Sequence, residues 1–383
     1  MGKLRFSLAI LSLFLVSGPS WAGGYDTPIL YSARHMGMGG AAIGYVNDPS
    51  ALFHNPAGLG NIKSGSVIGN FSPLIGQIQA SPSYDSQNAK SDTVLAPFFL
   101  GGAAYRVHDL AVIGLAVYPV ASSGAAFKYE NSVDLLLEDS TKLVFIEAAP
   151  GFAINLPANF SLGVAWRLTL IQFQRQQRGI TEGSKAVYDM DMSGTNYMGY
   201  KVGLQWDPSP MFSAGIVYRG RTDTEISADS SVFASQEWEK TTMGFTLPSK
   251  LGAGIRVNSS VASIALDVEY GFNSQNDSST ISLWRDGGDD PAEFMSHYHW
   301  TDSLTARTGA EYRWDFLQFR AGYIYDSKTS NASYPTAFGT PPVATQSVTA
   351  GLGASLGAFD VSLAWAYRFG SVAVTKEDLE GGE

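Results

Sequence analysis

Residues 359 to 369 read FDVSLAWAYRF, and the residue types alternate at every step. Phe359, Val361, Leu363, Trp365, Tyr367 and Phe369 share one parity, and Asp360, Ser362, Ala364, Ala366 and Arg368 take the other. A strand sends successive side chains to opposite faces, so this period demands a β-strand with one apolar face. It recurs in FSLGVAWRLTL (160–170), VASIALDVEYGF (261–272), LTARTGAEYRW (304–314) and FLQFRAGYIYD (316–326). The apolar parity ends in Tyr, Trp or Phe, while the other carries Gly, Arg, Asp and Glu. A soluble two-sheet sandwich also alternates, but it turns medium aliphatics to a core. Aromatic strand ends and a charged opposite face fit better a membrane barrel with interfacial girdles and a wet lumen.

The N-terminus supports export. In MGKLRFSLAILSLFLVSGPSWAGG, Lys3 and Arg5 precede an apolar stretch from Leu8 to Val16, and Ser20-Trp21-Ala22 has the small residues of a cleavage site. Residues 1–22 are therefore read as a signal peptide. That stretch is shorter than the ~20 residues a membrane helix needs, and no longer apolar run follows. Cysteine is absent, so no disulfide can brace the fold. A net charge of −10 argues against nucleic acid as a partner.

Tight connections join the alternating runs at YRVHDLAVIG (105–114), WDPSPMF (206–212), VNSSVAS (257–263), RWDFLQF (313–319) and SLGAFDV (355–361). Long polar stretches lie between them, near 128–141, 174–194, 223–243, 273–299 and 327–344. Short turns at one end and long loops at the other are the asymmetry of outer-membrane barrels. The pattern yields thirteen clear strands. Even strand numbers in single-chain bacterial barrels raise the expectation to about 14, with a missed or broken strand in 223–257. The expected fold is thus an all-β, antiparallel transmembrane β-barrel over residues 63–370, followed by a periplasmic tail at 371–383.

Residues 23–62 do not alternate. In NDPSALFHNPAGLG, Asp48 and Pro49 are placed to start a short helix, and Pro56 stops it near His54 or Asn55. Gly37, Gly39, Gly40 and Gly58 permit close backbone packing. A compact segment ahead of a wide polar-lined barrel has its natural place inside as a plug.

These residues carry a specific resemblance. ARHMGMGGAAIGYVNDPSALFHNPAGLG (33–60) resembles the hatch of the FadL family of outer-membrane transport proteins, whose Asn-Pro-Ala motif corresponds to Asn55, Pro56 and Ala57. LAVYPVASSGAAFKYE (115–130) resembles the family's third strand, and TLPSKLGAGIRV (246–257) its Leu-Pro strand opening. The resemblance extends over nearly the whole mature chain. It implies a monomer, inserted by the barrel-assembly machinery into the bacterial outer membrane among its lipids, that takes up long-chain fatty acids or similar hydrophobic molecules. It further implies extracellular capture, gating by the hatch and sideways exit through a kink in strand three, here at Tyr118, Pro119 and Gly124. Pro119 breaks a hydrogen-bond ladder wherever it sits, although an ordinary strand end would also accommodate it.

Leu135, Leu136 and Leu137 form an apolar run in an acidic stretch, fitting either an outer capture groove or an amphipathic loop helix. Leu52, Phe53 and Phe127 are the candidate contacts for an acyl chain. Arg167, Arg256, Arg307 and Arg320 suit a carboxylate, or else pairing with Asp267, Glu269 and Glu311 across the lumen. A non-transporting structural or surface-interaction barrel is the alternative reading. No enzyme is expected: Ser355 in GASLG lacks the strand-turn-helix setting of a nucleophile elbow, and GMGG lacks the lysine of a phosphate loop. His297 and His299 are read as solvated loop residues, and neither metal nor cofactor is called for.

Overall fold

The computed structural model describes residues 31–82, 88–131, 134–180, 184–285, 288, 290–334, 342–375 and 378. The expected signal peptide, the first residues of the 23–62 segment and most of the tail lie outside them.

Nineteen strand segments join in one antiparallel sheet. Followed along the sheet, seventeen of them form thirteen staves, each paired with the next. These are β1 (Gly65–Gly76), β2 (Val94–His108), β3 (Ala111–Glu130), β4 (Leu136–Leu156), β5 (Phe160–Gly179) and β6 (Ala186–Ser209). Four interrupted staves follow: β7 (Phe212–Arg219, then Thr222–Ala228), β8 (Lys240–Leu247, then Lys250–Asn258), β9 (Ala262–Gly271, then Ser278–Trp284) and β10 (Ala292–His297, then Ser303–Trp314). The last three are β11 (Leu317–Asp326), β12 (Thr345–Leu356) and β13 (Phe359–Phe369). The stretch 223–257 thus holds two broken staves. A hairpin between β7 and β8, Ser231–Phe233 with Gln236–Trp238, folds back onto β6, where Val232 pairs with Asp189.

Thirteen described staves make β1 and β13 run in the same direction, and no pairing joins them among the described residues. Phe369 lies opposite Gln346, next to the long 327–344 connection. The first described residues after β13 therefore leave from the long-connection end of the described sheet. The physical reason is parity: an odd number of crossings brings the chain out on the far side.

The expected faces hold throughout. Phe359, Val361, Leu363, Ile264, Leu266, Trp166 and Leu162 point outward and are exposed, while Arg167, Asp267, Arg307 and Glu311 point inward and are buried. This inverted arrangement suits a lipid-facing wall.

The wall is taller than the membrane on one side. The staves β3 to β6 are 20, 21, 20 and 24 residues long, against the roughly 9–11 that span a bilayer. On β5 the outward side chains change from Leu162, Trp166 and Leu170 to Gln172, Gln174 and Gln176. Above that level the outer face meets water. Much of the expected loops 128–141, 174–194 and 223–243 is therefore strand that keeps its period but lacks the apolar outer face.

Candidate functional site

Residues 31–62 lie within the curve of the sheet and touch staves all around it. Asp48 Oδ1 accepts from the Ser50 amide at 2.8 Å, and helix α2 (Ala51–His54) follows. Asn55 is extended, with φ −153° and ψ 107°, because Pro56 disfavours helix before it. A short 3-10 helix (Pro56–Asn61) then begins, capped by Asn55, whose Oδ1 accepts from the Ala57 amide at 3.1 Å. Asn55 Nδ2 donates to Ile43 O at 3.0 Å and to Leu204 O on β6 at 3.3 Å. One fully buried amide thus ties two parts of this N-terminal segment, the expected hatch, to the wall. An earlier helix, α1 (Ala33–Gly37), packs along β11 to β13 at the other side.

Glycines on the wall make the seat. A Cβ at Gly203 on β6 would fall on Asn55 Oδ1, and one at Gly163 on β5 would fall on the Pro56–Ala57 peptide. Gly309 and Gly322 do the same for Met38 and Gly39. Gly58 lies inside the 3-10 helix, where a side chain would strike Val46. Positive φ falls at Gly39 and Gly40, at 65° and 74°.

Wall side chains hold hatch backbone directly. Asp267 Oδ2 accepts from the Ala42 and Ile43 amides at 2.7 and 2.9 Å. Thr349 Oγ1 accepts from Gly39 N at 3.0 Å and donates to Gly37 O at 3.2 Å. Arg106 donates to Gly60 O and Ile62 O at 2.6 and 2.8 Å. The lumen arginines are mostly paired. Arg167 is buried against Glu147, Arg307 donates to Glu269 at 3.3 Å, and Arg320 donates to Glu311 at 2.8 Å. Arg256 instead lies over the Tyr45 ring, 4.1 Å from its centroid.

Strand β3 has an irregular ladder around Pro119. Its ladder with β4 slips between Pro119 and Ala121, which leaves Val120 as a bulge. Tyr118, Pro119, Val120 and Ala121 are all buried, so the in-out alternation fails at the bulge. Gly124 has φ 153°, and a Cβ on it would strike Thr141 O. The ladder with β2 runs from His108–Ala111 only as far as Gly101–Val117. Beyond it, Val94–Leu100 pair with β1 and Tyr118–Glu130 with β4, and on the open side Asp92 N donates to Ala126 O at 2.8 Å. The β2–β3 ladder thus stops short of the upper half of β3, leaving a gap in the pairing, a window in the ladder, above Val117. The hairpin Gln79–Ala80 with Ala89–Lys90 roofs it, packing Ile78, Ala80 and Ala89 on Ala125, Phe127, Tyr129 and Leu137.

Behind the window lies an aromatic cluster. Tyr31 and Phe53 of the hatch sit 4.4 Å apart by ring centroids, Tyr118 is 5.2 Å from Phe53, and Phe98 of β2 is 6.3 Å from Tyr31. Phe53 and His54 also floor a small cavity of about 50 Å³, walled by Val120, Lys201, Val217, Arg219, Lys250, Glu269 and Arg307. Lys201 Nζ donates to Phe53 O at 2.5 Å and to Leu52 O at 3.3 Å, capping the end of α2, and lies 5.3 Å from the Phe53 ring centroid. The Tyr118 hydroxyl donates to the same Leu52 carbonyl at 3.2 Å. The end of the hatch helix is thus shared by a cavity lysine and the lip of the window.

Of the candidate contacts, Phe53 lines the cavity, whereas Leu52 is sealed between hatch and Gly151 on β4. Phe127 belongs to the roof cluster. Leu135 and Leu136 are exposed at the β3–β4 hairpin tip, and Leu137 is buried on Phe127, so the three are not one surface and form no helix. Sequence reading missed the apolar inner lining above the hatch, including Phe145, Ile171, Phe173, Met190, Met192, Met243 and Phe245. Phe245 lies 6.1 Å from Phe145 and 5.6 Å from Phe173. The available signal was the inward parity of β4 to β6, apolar just where the outward parity becomes polar. Elsewhere, His299 pairs with Asp277 at 2.6 Å and stacks on His297. Ser355 sits at the end of β12, donating to Asp360 at 2.6 Å.

Residues 13–353 match the family model described as outer membrane protein transport protein (OMPP1/FadL/TodX). A protein of Neisseria meningitidis serogroup B, which its name assigns to the outer membrane, is 23% identical over 86% of this chain and 82% of its own length. The crystal structure of a Pseudomonas aeruginosa FadL homologue superposes with a TM-score of 0.71 at 14% identity, covering 91% of this chain and 92% of that one. The Pseudomonas putida toluene transporter TodX gives 0.68 at 16% identity, covering 90% and 94%. The solved structures share the antiparallel sheet fold described above, and the family match spans most of the chain: this is a member of the FadL/TodX family of outer-membrane transport proteins.

Proposed function

We propose that the protein carries hydrophobic small molecules with an anionic head, long-chain fatty acids or compounds of that build, passively across the outer membrane. The molecule enters at the long-connection end, rests in the apolar lining above the hatch and leaves sideways between β2 and β3. The observation that carries this reading is the end of the β2–β3 ladder at Val117, while β3 continues to Glu130. A barrel that serves only as a wall gains nothing from unpaired strand edges, which are costly at membrane depth. The names of similar structures, a toluene transporter and a monoaromatic hydrocarbon channel, support hydrophobic cargo.

The cavity above the hatch favours an anionic head over a neutral ring. Lys201, Arg219, Lys250 and Arg307 converge there on the single carboxylate of Glu269. At about 50 Å³ it has room for a head group and none for a chain, which would lie against Phe145, Phe173 and Phe245.

Closing the window tests the route. Replacing Pro119 by Val and deleting Val120 removes the bulge and lets β3 run straight. Uptake of labelled oleate by cells should then fall to that of cells lacking the protein, at equal surface abundance. Undiminished uptake would refute the lateral route. No uptake by the unaltered protein, with oleate or with toluene, would leave a non-transporting barrel.

A further inference from the structure

The two helices of the hatch meet through a pair of histidines. His35 on α1 and His54 on α2 are both buried, with ring centroids 4.9 Å apart and planes at 61°. Among the described residues, neither nitrogen of His35 has a hydrogen-bond partner, nor does Nε2 of His54. A buried imidazole nitrogen without a partner is unusual, because a protein commonly anchors its tautomer through one of them.

Charges around the pair are predominantly positive on every side. From the hatch itself come Arg34 and the carboxylate of Asp48, whose Oδ2 is 3.8 Å from His35 Nε2. From the wall come Lys201 on β6, Arg256 on β8, Arg307 on β10 and Arg320 on β11. Glu311 on β10 faces the same region but is taken by Arg320 and Arg313 at 2.8 Å each, with Arg34 at 3.8 Å. Glu269 on β9, which shares the cavity with His54, is taken by Lys250 and Arg307. Asp267 on β9 spends its Oδ2 on the hatch amides. Among the described residues, Asp48 is the carboxylate left near the imidazoles.

We infer that the His35–His54 pair is an acid-sensitive lock, which keeps the hatch seated while both rings are neutral and releases it when they take up protons. Burial, followed by Arg34, Arg320 and Arg256, holds His35 well below its usual range. Burial, followed by His35 itself, does the same for His54, against the opposing pull of Asp48. An unseated hatch exposes both rings to water, where they titrate near pH 6.5. The unseated state therefore binds more protons, and seating is fully favoured above about pH 6.5 and weakens as the pH falls. Each histidine contributes up to about tenfold in the seating equilibrium per pH unit over that window, and two give up to about a hundredfold. This inference concerns the hatch alone and holds whether or not the cargo is an anion.

The full-length protein in planar bilayers, followed from about pH 7.5 to about pH 4.5, tests it. Single-channel conductance and hydrogen exchange of the 35–62 amides are recorded on the same preparation. Conductance and exchange should both rise on acidification in the unaltered protein. They should stay flat in His35→Gln/His54→Gln, whose amides keep bulk and polarity without titrating. His297→Gln/His299→Gln, changed at the exposed loop pair, should respond as the unaltered protein does. An acid response that survives in the double hatch variant overturns the lock, as does a flat response in the unaltered protein. Should the double variant already be unseated at neutral pH by its exchange, the single variants decide. Each must flatten the acid response by about half on a logarithmic scale, and an undiminished response in both overturns the proposal.

Discussion

Asn55 shows how much one side chain can hold in this molecule. Its amide makes three contacts that no other residue duplicates: a cap for the 3-10 helix, a tie to Ile43 and a tie to β6. Asn55→Ala leaves Ile43 O, Leu204 O and the Ala57 amide short of a partner in a dry place. That costs roughly 1–3 kcal/mol of hatch seating, with no cost to the sheet's ladders. Hydrogen exchange should accelerate over residues 35–62 and stay unchanged on the staves. Gly203→Val attacks the same joint from the wall, since its Cβ takes the place of Asn55 Oδ1. The barrel should still insert and resist unfolding in detergent, while the hatch fails to seat and ionic current rises. The Asn-Pro-Ala motif was legible in the sequence because proline and asparagine have few uses in sequence at a helix end. The glycine seat was not, since a glycine on an inward parity does not announce which backbone it admits.

At the level of elements, helix α2 and strand β3 share one carbonyl. Lys201 and Tyr118 both donate to Leu52 O, one from the cavity and one from the lip of the window. Lys201→Met keeps the length and apolar stem of the side chain, so its contact with Phe53 survives while the ammonium is lost. Uptake of an anionic fatty acid should drop, while uptake of a neutral aromatic hydrocarbon should hold. Competition assays with the two cargoes on one strain measure the difference, and equal loss of both would remove the case for head-group recognition. A break in the ladder is the expectation Pro119 sets, and the register shift lies beside it. What the break opens onto was not readable, because the missing β2–β3 pairing is a matter of where Val94–Leu100 go, and they follow β1. Strand ends were misread for a related reason: the period of two continues through Gln172, Gln174 and Gln176, but the reading looked for an apolar outer face. That face exists only where lipid does. The inner lining of Phe145, Phe173, Met190 and Met192 was hidden by the same assumption, since it reverses which parity is apolar.

The whole molecule is acidic, with a net charge of −10, yet its waist is not. At the level of the hatch the inward side chains Lys201, Arg219, Lys250, Arg256 and Arg307 face the carboxylates Asp267 and Glu269. The acidic excess sits elsewhere, on exposed positions such as Asp189, Asp191, Asp223 and Glu225, whose charge is screened within about 8 Å at physiological salt. Deleting residues 23–62 tests whether the hatch is what fills that waist. The ladders between staves do not depend on the hatch, and the pairs Arg167–Glu147, Arg307–Glu269 and Arg320–Glu311 are made within the wall, so the barrel should still assemble. Asp267 loses its two hatch amides but gains water, and so is not left unsatisfied. The resulting pore should conduct well where the intact protein conducts little. Its current should favour anions, because the surplus of fixed positive charge at the narrowest level draws chloride into a low-dielectric ring. A reversal potential measured across a potassium chloride gradient reads this directly. If the intact protein already conducts like the deletion, the 23–62 segment does not plug the bore. If the deletion conducts but prefers potassium, the charge of the waist has been misassigned, and with it the reason for expecting an anionic head group in the cavity above.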